Sequence, residues 1–322
     1  MNLSIIIPVY NEKDNLKPLY AAILKTLNPM KDPWEIIFVD DGSRDDSLQM
    51  LRGLAESDTE HTRVISFRRN FGQTAAIAAG IDFSKGDTIV LMDADLQNDP
   101  EDIPKLLSKL DEGYDLVSGW RKDRRDNAIT RNLPSAIANW VISTTTGVHL
   151  HDYGCTLKAY KRDALEGFRL YGEMHRFIPV FAHSIGSRIT EIPVSHHVRK
   201  FGKTNYGLER TLKVVLDLFT VIFLLNYTSK PIRLFGGTGL LLMITSALIM
   251  GWLLIRRVFF LVSVLGSPFF QLGVMFFILG FQSVLMGMIA ELLVRTYYES
   301  QQKPAYTIRE KLGFDQKPDL NK

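Results

Sequence analysis

The sequence predicts an α/β domain with a mostly parallel sheet, followed by two membrane-spanning helices. Three observations carry this prediction. Short β-branched runs alternate with helical stretches up to about residue 195, the pattern of strands joined by helical crossovers. From Leu234 to Ala290 the only charged residues are Arg256 and Arg257, although 23% of the whole chain is charged. No Gly-x-Gly-x-x-Gly follows the first strand, and no Walker-type Gly-x-x-x-x-Gly-Lys-Ser/Thr loop is present, which sets aside dinucleotide oxidoreductases and P-loop ATPases.

Strands are predicted at residues 4–9, 35–40, 63–67, 88–92, 115–118 and 188–194. Helices with apolar residues at three- and four-residue spacing are predicted at 12–27, 45–57, 74–83 and 104–112. Such a sheet binds ligands at the carboxyl ends of its strands. The first strand ends in Pro8-Val9-Tyr10-Asn11-Glu12, where Asn11 and Asp14 have the spacing of a capping box. The second ends in Asp40-Asp41-Gly42-Ser43, with Ser43 and Asp46 spaced as another cap. An Asp at a strand end accepts hydrogen bonds from a base or ribose; a structural turn is the alternative. The fourth ends in Asp93-Ala94-Asp95-Leu96-Gln97. On an extended chain Asp93 and Asp95 leave on one face, and like charges that close call for a bridging cation. Oxygen ligands select Mg²⁺ or Mn²⁺, completed by diphosphate oxygens.

Leu234–Ile255 is long enough to cross a bilayer. Gly266-Ser267-Pro268 breaks the next apolar run, which places a second span at about 270–292 and a short hydrophobic hairpin before it. Buried core helices are the alternative. Lys230 and Arg233 precede the first span, and Arg295, Lys303, Arg309 and Lys311 follow the second, which favours both ends on the cytoplasmic side. No basic n-region or cleavage motif precedes the first strand, so the head is expected in the cytoplasm. Thr211–Leu225 reads either as a helix along the membrane surface or as a core helix of the head. Gly236, Gly237, Gly239, Gly280 and Gly287 suit close packing of spans, including a homo-oligomer. Cys155 is the only cysteine, which excludes an intrachain disulfide and leaves no Cys-rich zinc site. The net charge of +3 gives no support for nucleic acid as a partner. His196-His197 read as strand-face residues.

Pro-Val-Tyr-Asn-Glu, Asp-Asp-Gly-Ser and Asp-Ala-Asp-Leu-Gln in this order resemble glycosyltransferase family two, of GT-A fold. Arg68-Arg69-Asn70-Phe71-Gly72 and Asp152-Tyr153-Gly154-Cys155 narrow the resemblance to polyprenyl-phosphate glycosyltransferases. That branch includes dolichyl-phosphate mannose synthases, bactoprenol glucosyltransferases of the Gtr type and aminoarabinose-type members. The Gln-x-x-Arg-Trp motif of processive synthases is absent. The resemblance implies a nucleotide pocket lined by Pro8, Tyr10, Glu12 and Asp40, with Asp41 nearby. It implies a metal held by Asp93, Asp95 and Gln97, and an acceptor phosphate gripped by Arg121, Arg131 and Ser135. Arg199 and Lys203 match a loop that closes over the phosphates, although here it reads Gly202-Lys203-Thr204-Asn205 where the family commonly has Gly-x-Ser-Lys. Asp152 would orient the acceptor or contact the sugar. For Arg121, Lys122, Arg124 and Arg125 a solvated basic face is the alternative.

The implied organisation is a cytoplasmic GT-A head at 1–205, a juxtamembrane segment at 206–229, two spans at 230–295 and a cytoplasmic tail at 296–322. The implied function is inverting transfer of a hexosyl group, with UDP-glucose as the first donor expected, to undecaprenyl phosphate at the bacterial plasma membrane. Mannose and aminoarabinose are the other sugars considered. A transport subunit with a nucleotide-binding head is disfavoured, because the spans carry no embedded acid.

Overall fold

The computed structural model describes residues 2–30, 32–122, 139, 142–144, 146–166, 170, 174–197, 232–261, 263–300 and 306–314. They form two compact units, the head and a helical pair.

The head is built on an eight-stranded sheet. Its strands are β1 (Leu3–Val9), β2 (Trp34–Asp40), β3 (Thr62–Phe67), β4 (Thr88–Leu91), β5 (Leu116–Trp120), β6 (Lys158–Lys161), β7 (Ile189–Pro193) and β8 (Ile308–Leu312). Their order is β7-β5-β6-β4-β1-β2-β3-β8. All pairings are parallel except those of β6 and β8. β1, β2 and β4 are buried over nearly their whole length, as strands covered on both faces must be. The cover comes from helices α1 (Lys13–Leu27), α2 (Ser47–Ser57), α3 (Gln73–Phe83), α4 (Ile103–Asp111) and the short α5 (Ile178–Ser184). On α1 the buried residues Leu16, Leu19, Tyr20, Ile23 and Leu27 recur at three or four positions, one stripe of a helix. Each Ile, Leu or Val fully buried in this core contributes roughly 1.5–3 kcal/mol.

Two strands were not anticipated. β6 lies antiparallel between β4 and β5. β8 lies antiparallel to β3, where the sequence predicts only a tail. Tyr306, just before β8, stacks on Phe67 at 5.2 Å and donates to Asp82 at 2.7 Å.

The helical unit is α6 (Ile232–Phe260) packed on α7 (Pro268–Ser300). Their stretches Phe235–Phe260 and Pro268–Ala290 are long and apolar enough to cross a membrane, and only 17% of the 18-residue apolar core of each is buried within the fold. That exposure argues against core helices. Among the described residues no hairpin precedes the second helix: α6 runs on through Arg256 and Arg257 to Phe260, Leu261 has φ 53°, and α7 starts at Pro268. Nothing between Ile255 and Phe260 breaks a helix, and Pro is at home in a first turn. Gly239 and Gly280 meet backbone to backbone; a Cβ on either would lie 2.5 or 2.6 Å from the other's carbonyl oxygen. These glycines therefore serve contact within the chain, and a Cβ on Gly237 would meet nothing.

Candidate active site

The chain leaves β1 for β2 on one side and later returns to β4 on the other. This switch of direction opens a crevice at the carboxyl ends of β1 and β4. Because β4, β1 and β2 are neighbours, three polar loops stand side by side: Tyr10–Glu12, Asp40–Ser43 and Asp93–Gln97.

The first two loops are knitted together. Asn11 has φ 57°, a left-handed conformation that Asn tolerates, and its side chain accepts from Arg44 N at 2.8 Å. Asn11 N donates to Ser43 Oγ at 3.0 Å and Glu12 N to Ser47 Oγ at 3.0 Å. The predicted capping boxes are thus corrected. α1 has Glu12 and α2 has Asp46 at the cap position, neither with a side-chain cap bond, because these polar groups bond across the two loops. Tyr10, Glu12 and Pro8 are half-buried at this mouth.

Asp40 and Asp41 are almost fully buried. Asp40 accepts from Ser43 N at 3.1 Å and Ser66 Oγ at 3.0 Å. Asp41 accepts from Phe71 N at 2.6 Å and Gly72 N at 2.9 Å, so it anchors the segment leading into α3. Burial pushes the Asp41 carboxyl up to about 6, against the two amides and with neighbouring Asp40. Gly42 lets the loops approach: its φ is +69°, and a Cβ there would stand 2.5 Å from the Arg69 carbonyl carbon.

β4 ends at Leu91, so Asp93 and Asp95 do not project from extended chain as the sequence predicts. The backbone bends, with Leu96 at φ 60°, and side-chain bonds set the directions instead. Asp93 accepts from Gln73 Nε2 and Thr156 Oγ1, both at 2.7 Å. Asp95 accepts from Gln97 N at 3.1 Å. His197 N donates to Gln97 O at 2.9 Å, and its ring meets Asp99 at 3.0 Å. His196 bridges Asn98. The two histidines therefore lie beyond β7 and stitch the chain to the acidic turn, and do not line a strand face.

Arg121 follows β5 and makes a bidentate pair with Asp152, at 2.7 Å through Nε and 3.0 Å through Nη2. Burial alone would lower the arginine's pKa; the carboxylate overrides this and holds it above its ordinary value. The sequence assigns Arg121 and Asp152 to separate tasks, whereas the structure joins them. Asp152 also accepts from Gly154 N at 3.1 Å. Lys158, wholly buried, donates to Tyr153 O at 3.2 Å and to Cys155 O, and burial lowers its pKa. Cys155 is buried and pushed up to about 11 by that burial, which makes it an inert thiol.

Arg131, Ser135, Arg199, Lys203, Arg124, Arg125 and residues 211–225 lie outside the described residues. Sequence reasoning missed Gln73, Thr156 and Lys158; their only signals are adjacency to Asn70-Phe71-Gly72 and to Asp152-Tyr153-Gly154-Cys155.

The model of glycosyl transferase family 2 matches residues 4–168. This chain belongs to glycosyltransferase family 2. It is 40% identical to a dodecaprenyl-phosphate galacturonate synthase of Rhizobium johnstonii, over 96% of this chain and 93% of that one. It is 34% identical to an undecaprenyl-phosphate 4-deoxy-4-formamido-L-arabinose transferase of Proteus mirabilis, over 99% and 96%. Among solved structures it resembles glucosyl-3-phosphoglycerate synthase from Mycobacterium tuberculosis, bound to Mn²⁺, uridine diphosphate and phosphoglyceric acid. The TM-score is 0.55 at 18% identity, over 69% of this chain and 78% of that one, a likeness of fold.

Proposed function

We propose that this glycosyltransferase moves a sugar from a uridine-diphosphate donor to a polyprenyl phosphate at the membrane surface, and that the sugar is a uronic acid of the galacturonate type. The observation that carries it is the 40% identity to a galacturonate synthase across head and helical pair together. Glucose, the first sugar expected from the sequence, gains no support from either named relative.

Tyr10, Glu12, Asp40 and Asp41 border the crevice where the nucleotide sits, with Asp40 and Asp41 shaping its floor through internal bonds. The donor set at Asp93, Asp95 and Gln97 is all oxygen, which fits Mg²⁺ or Mn²⁺. Among the described residues no three His, Cys, Asp or Glu side chains cluster closely enough to hold a metal alone, so the proposed ion would need the donor's diphosphate to complete its shell. When bound, such an ion offsets the charge gathering on the leaving diphosphate. The acceptor phosphate, with a second pKa of about 6, is largely dianionic at neutral pH and needs placement more than deprotonation. Asp152 is held by Arg121 in one direction, suited to orienting the acceptor or the sugar. Arg121, Arg131 and Ser135 supply the phosphate contacts, and Arg199 and Lys203 those to the donor phosphates. Single displacement by the phosphate oxygen inverts the anomeric carbon.

The membrane part follows from the chain's course. β8 belongs to the head sheet yet comes after α6 and α7. If these helices cross the bilayer, they cross it twice and return to the head's side, as the flanking positive charges also favour. A bacterial plasma-membrane protein with a cytoplasmic head satisfies all of this.

The test is a panel of UDP-linked galacturonate, glucuronate, glucose, mannose and formamido-arabinose with full-length protein and undecaprenyl phosphate, followed by lipid extraction. Galacturonate is expected to enter the lipid fraction fastest. Preference for glucose or formamido-arabinose would overturn the sugar assignment and leave the reaction class.

A further inference from the structure

Asp93 stands where the chain has left β4 and begins to bend, so backbone geometry does not aim its carboxylate. Two neutral side chains do. Gln73, the first residue of α3, donates to Oδ1, and Thr156, two residues before β6, donates to Oδ2, each at 2.7 Å. Bonds to both oxygens fix both side-chain torsions. A carboxylate has about four acceptor sites, so the remaining ones point in a set direction. The donors carry no charge, unlike Arg121, which meets Asp152 in a bidentate ion pair.

Each strut has its own footing. Gln73 follows the Phe71 and Gly72 amides that Asp41 holds. Thr156 follows the turn whose Tyr153 and Cys155 carbonyls are tied down by buried Lys158. Asp93, Gln73 and Thr156 are all half-buried, at the opening and not sealed in the core.

We infer that Gln73 and Thr156 are positioning residues that hold Asp93 toward the donor's metal–diphosphate group, an inference that rests on the proposed transferase activity. Thr156 links the loop bearing Asp152 to the loop bearing Asp93, and Gln73 links that loop to the segment anchored by Asp41, so the acceptor and donor sides share one frame.

The test uses full-length protein in detergent, with calorimetric titration of UDP in the presence of Mn²⁺ and separate KM values for donor and acceptor. Thr156→Val keeps the shape and removes the hydroxyl; Thr156→Ser keeps the hydroxyl. Thr156→Val is expected to weaken Mn²⁺–UDP about ten- to hundredfold, the usual cost of losing an outer partner of a metal-site ligand. Donor KM rises while acceptor KM stays near wild type, and Thr156→Ser restores both. Gln73→Met is expected to act alike, and the double variant to lose less than the two losses combined, because both act through one carboxylate. Should Thr156→Val fail to fold, Gln73→Met carries the same test from the other oxygen. Unchanged Mn²⁺–UDP affinity in the variants, or equal loss in Thr156→Ser, would overturn the inference while leaving the transferase activity. A wild-type protein that does not bind UDP with Mn²⁺ would overturn both.

Discussion

Replacing Asp152 by Asn removes one charge from a bidentate pair whose side chains are only 10% and 14% exposed. Arg121 then keeps its charge in a largely buried site without its carboxylate partner, and the new amide turns a donor toward a donor. Breaking a buried pair from one side costs about 3–5 kcal/mol. In a domain of this size each kcal/mol moves the midpoint by about 2–4 °C, so the expected fall in Tm is roughly 6–20 °C. Cys155 is the only cysteine and is buried three residues away. A thiol-reactive fluorophore added during heating therefore reports on this loop. Removing both partners, as Arg121→Met with Asp152→Leu, is expected to cost less than either single change, since no charge is stranded. Single variants within about 1 kcal/mol of wild type would mean an exposed, screened pair, and the reasoning would fail.

Three further outcomes are expected. Asp95→Asn should abolish transfer while leaving Tm unchanged, and chelation should do the same to wild type; full turnover in excess chelator would remove the divalent cation from the account. Asp41 has its carboxyl raised to about 6 from 3.8, so the support its protonated form lends the fold is complete below about pH 3.8 and lost as pH rises through about 6. Relative to Asp41→Asn, wild type should lose up to about 2 kcal/mol between pH 4.5 and 7, read from Tm at each pH; a flat or reversed difference would contradict the burial argument. Gly280→Val puts a Cβ 2.6 Å from the Gly239 carbonyl oxygen and should lower stability in detergent by about 1–3 kcal/mol. Gly251→Ala, which meets nothing within 4 Å, serves as the control and should not.

The parallel strands were legible because fully buried β-branched runs alternate with one-sided helices, and their ends fell within two residues of those predicted. β6 was hidden by lysines at both of its ends. One of them, Lys158, is wholly buried and satisfied by carbonyls, which no local pattern reveals. β8, Ile308-Arg309-Glu310-Lys311-Leu312, is an edge strand with charges on its outer face. Its partner β3 lies far back in the chain, so it read as tail. The acidic turn after β4 was legible as a motif, but the bend that re-aims it was not. Gln73 and Thr156 are neutral residues brought to Asp93 only by the tertiary fold. Arg121 and Asp152 are 31 positions apart, and each had a plausible task alone. The cap spacings at Asn11 and Ser43 misled because the adjoining loops after β1 and β2 offered these groups partners in each other.

The most direct measurement is mass spectrometry of the lipid extract after full-length protein is incubated with UDP-galacturonic acid, Mn²⁺ and undecaprenyl phosphate, with released UDP counted in parallel. The account predicts a lipid phosphate heavier by one uronosyl residue, with one UDP released for each product. Release of UDP without glycosylated lipid, or transfer only to a water-soluble acceptor, would contradict it.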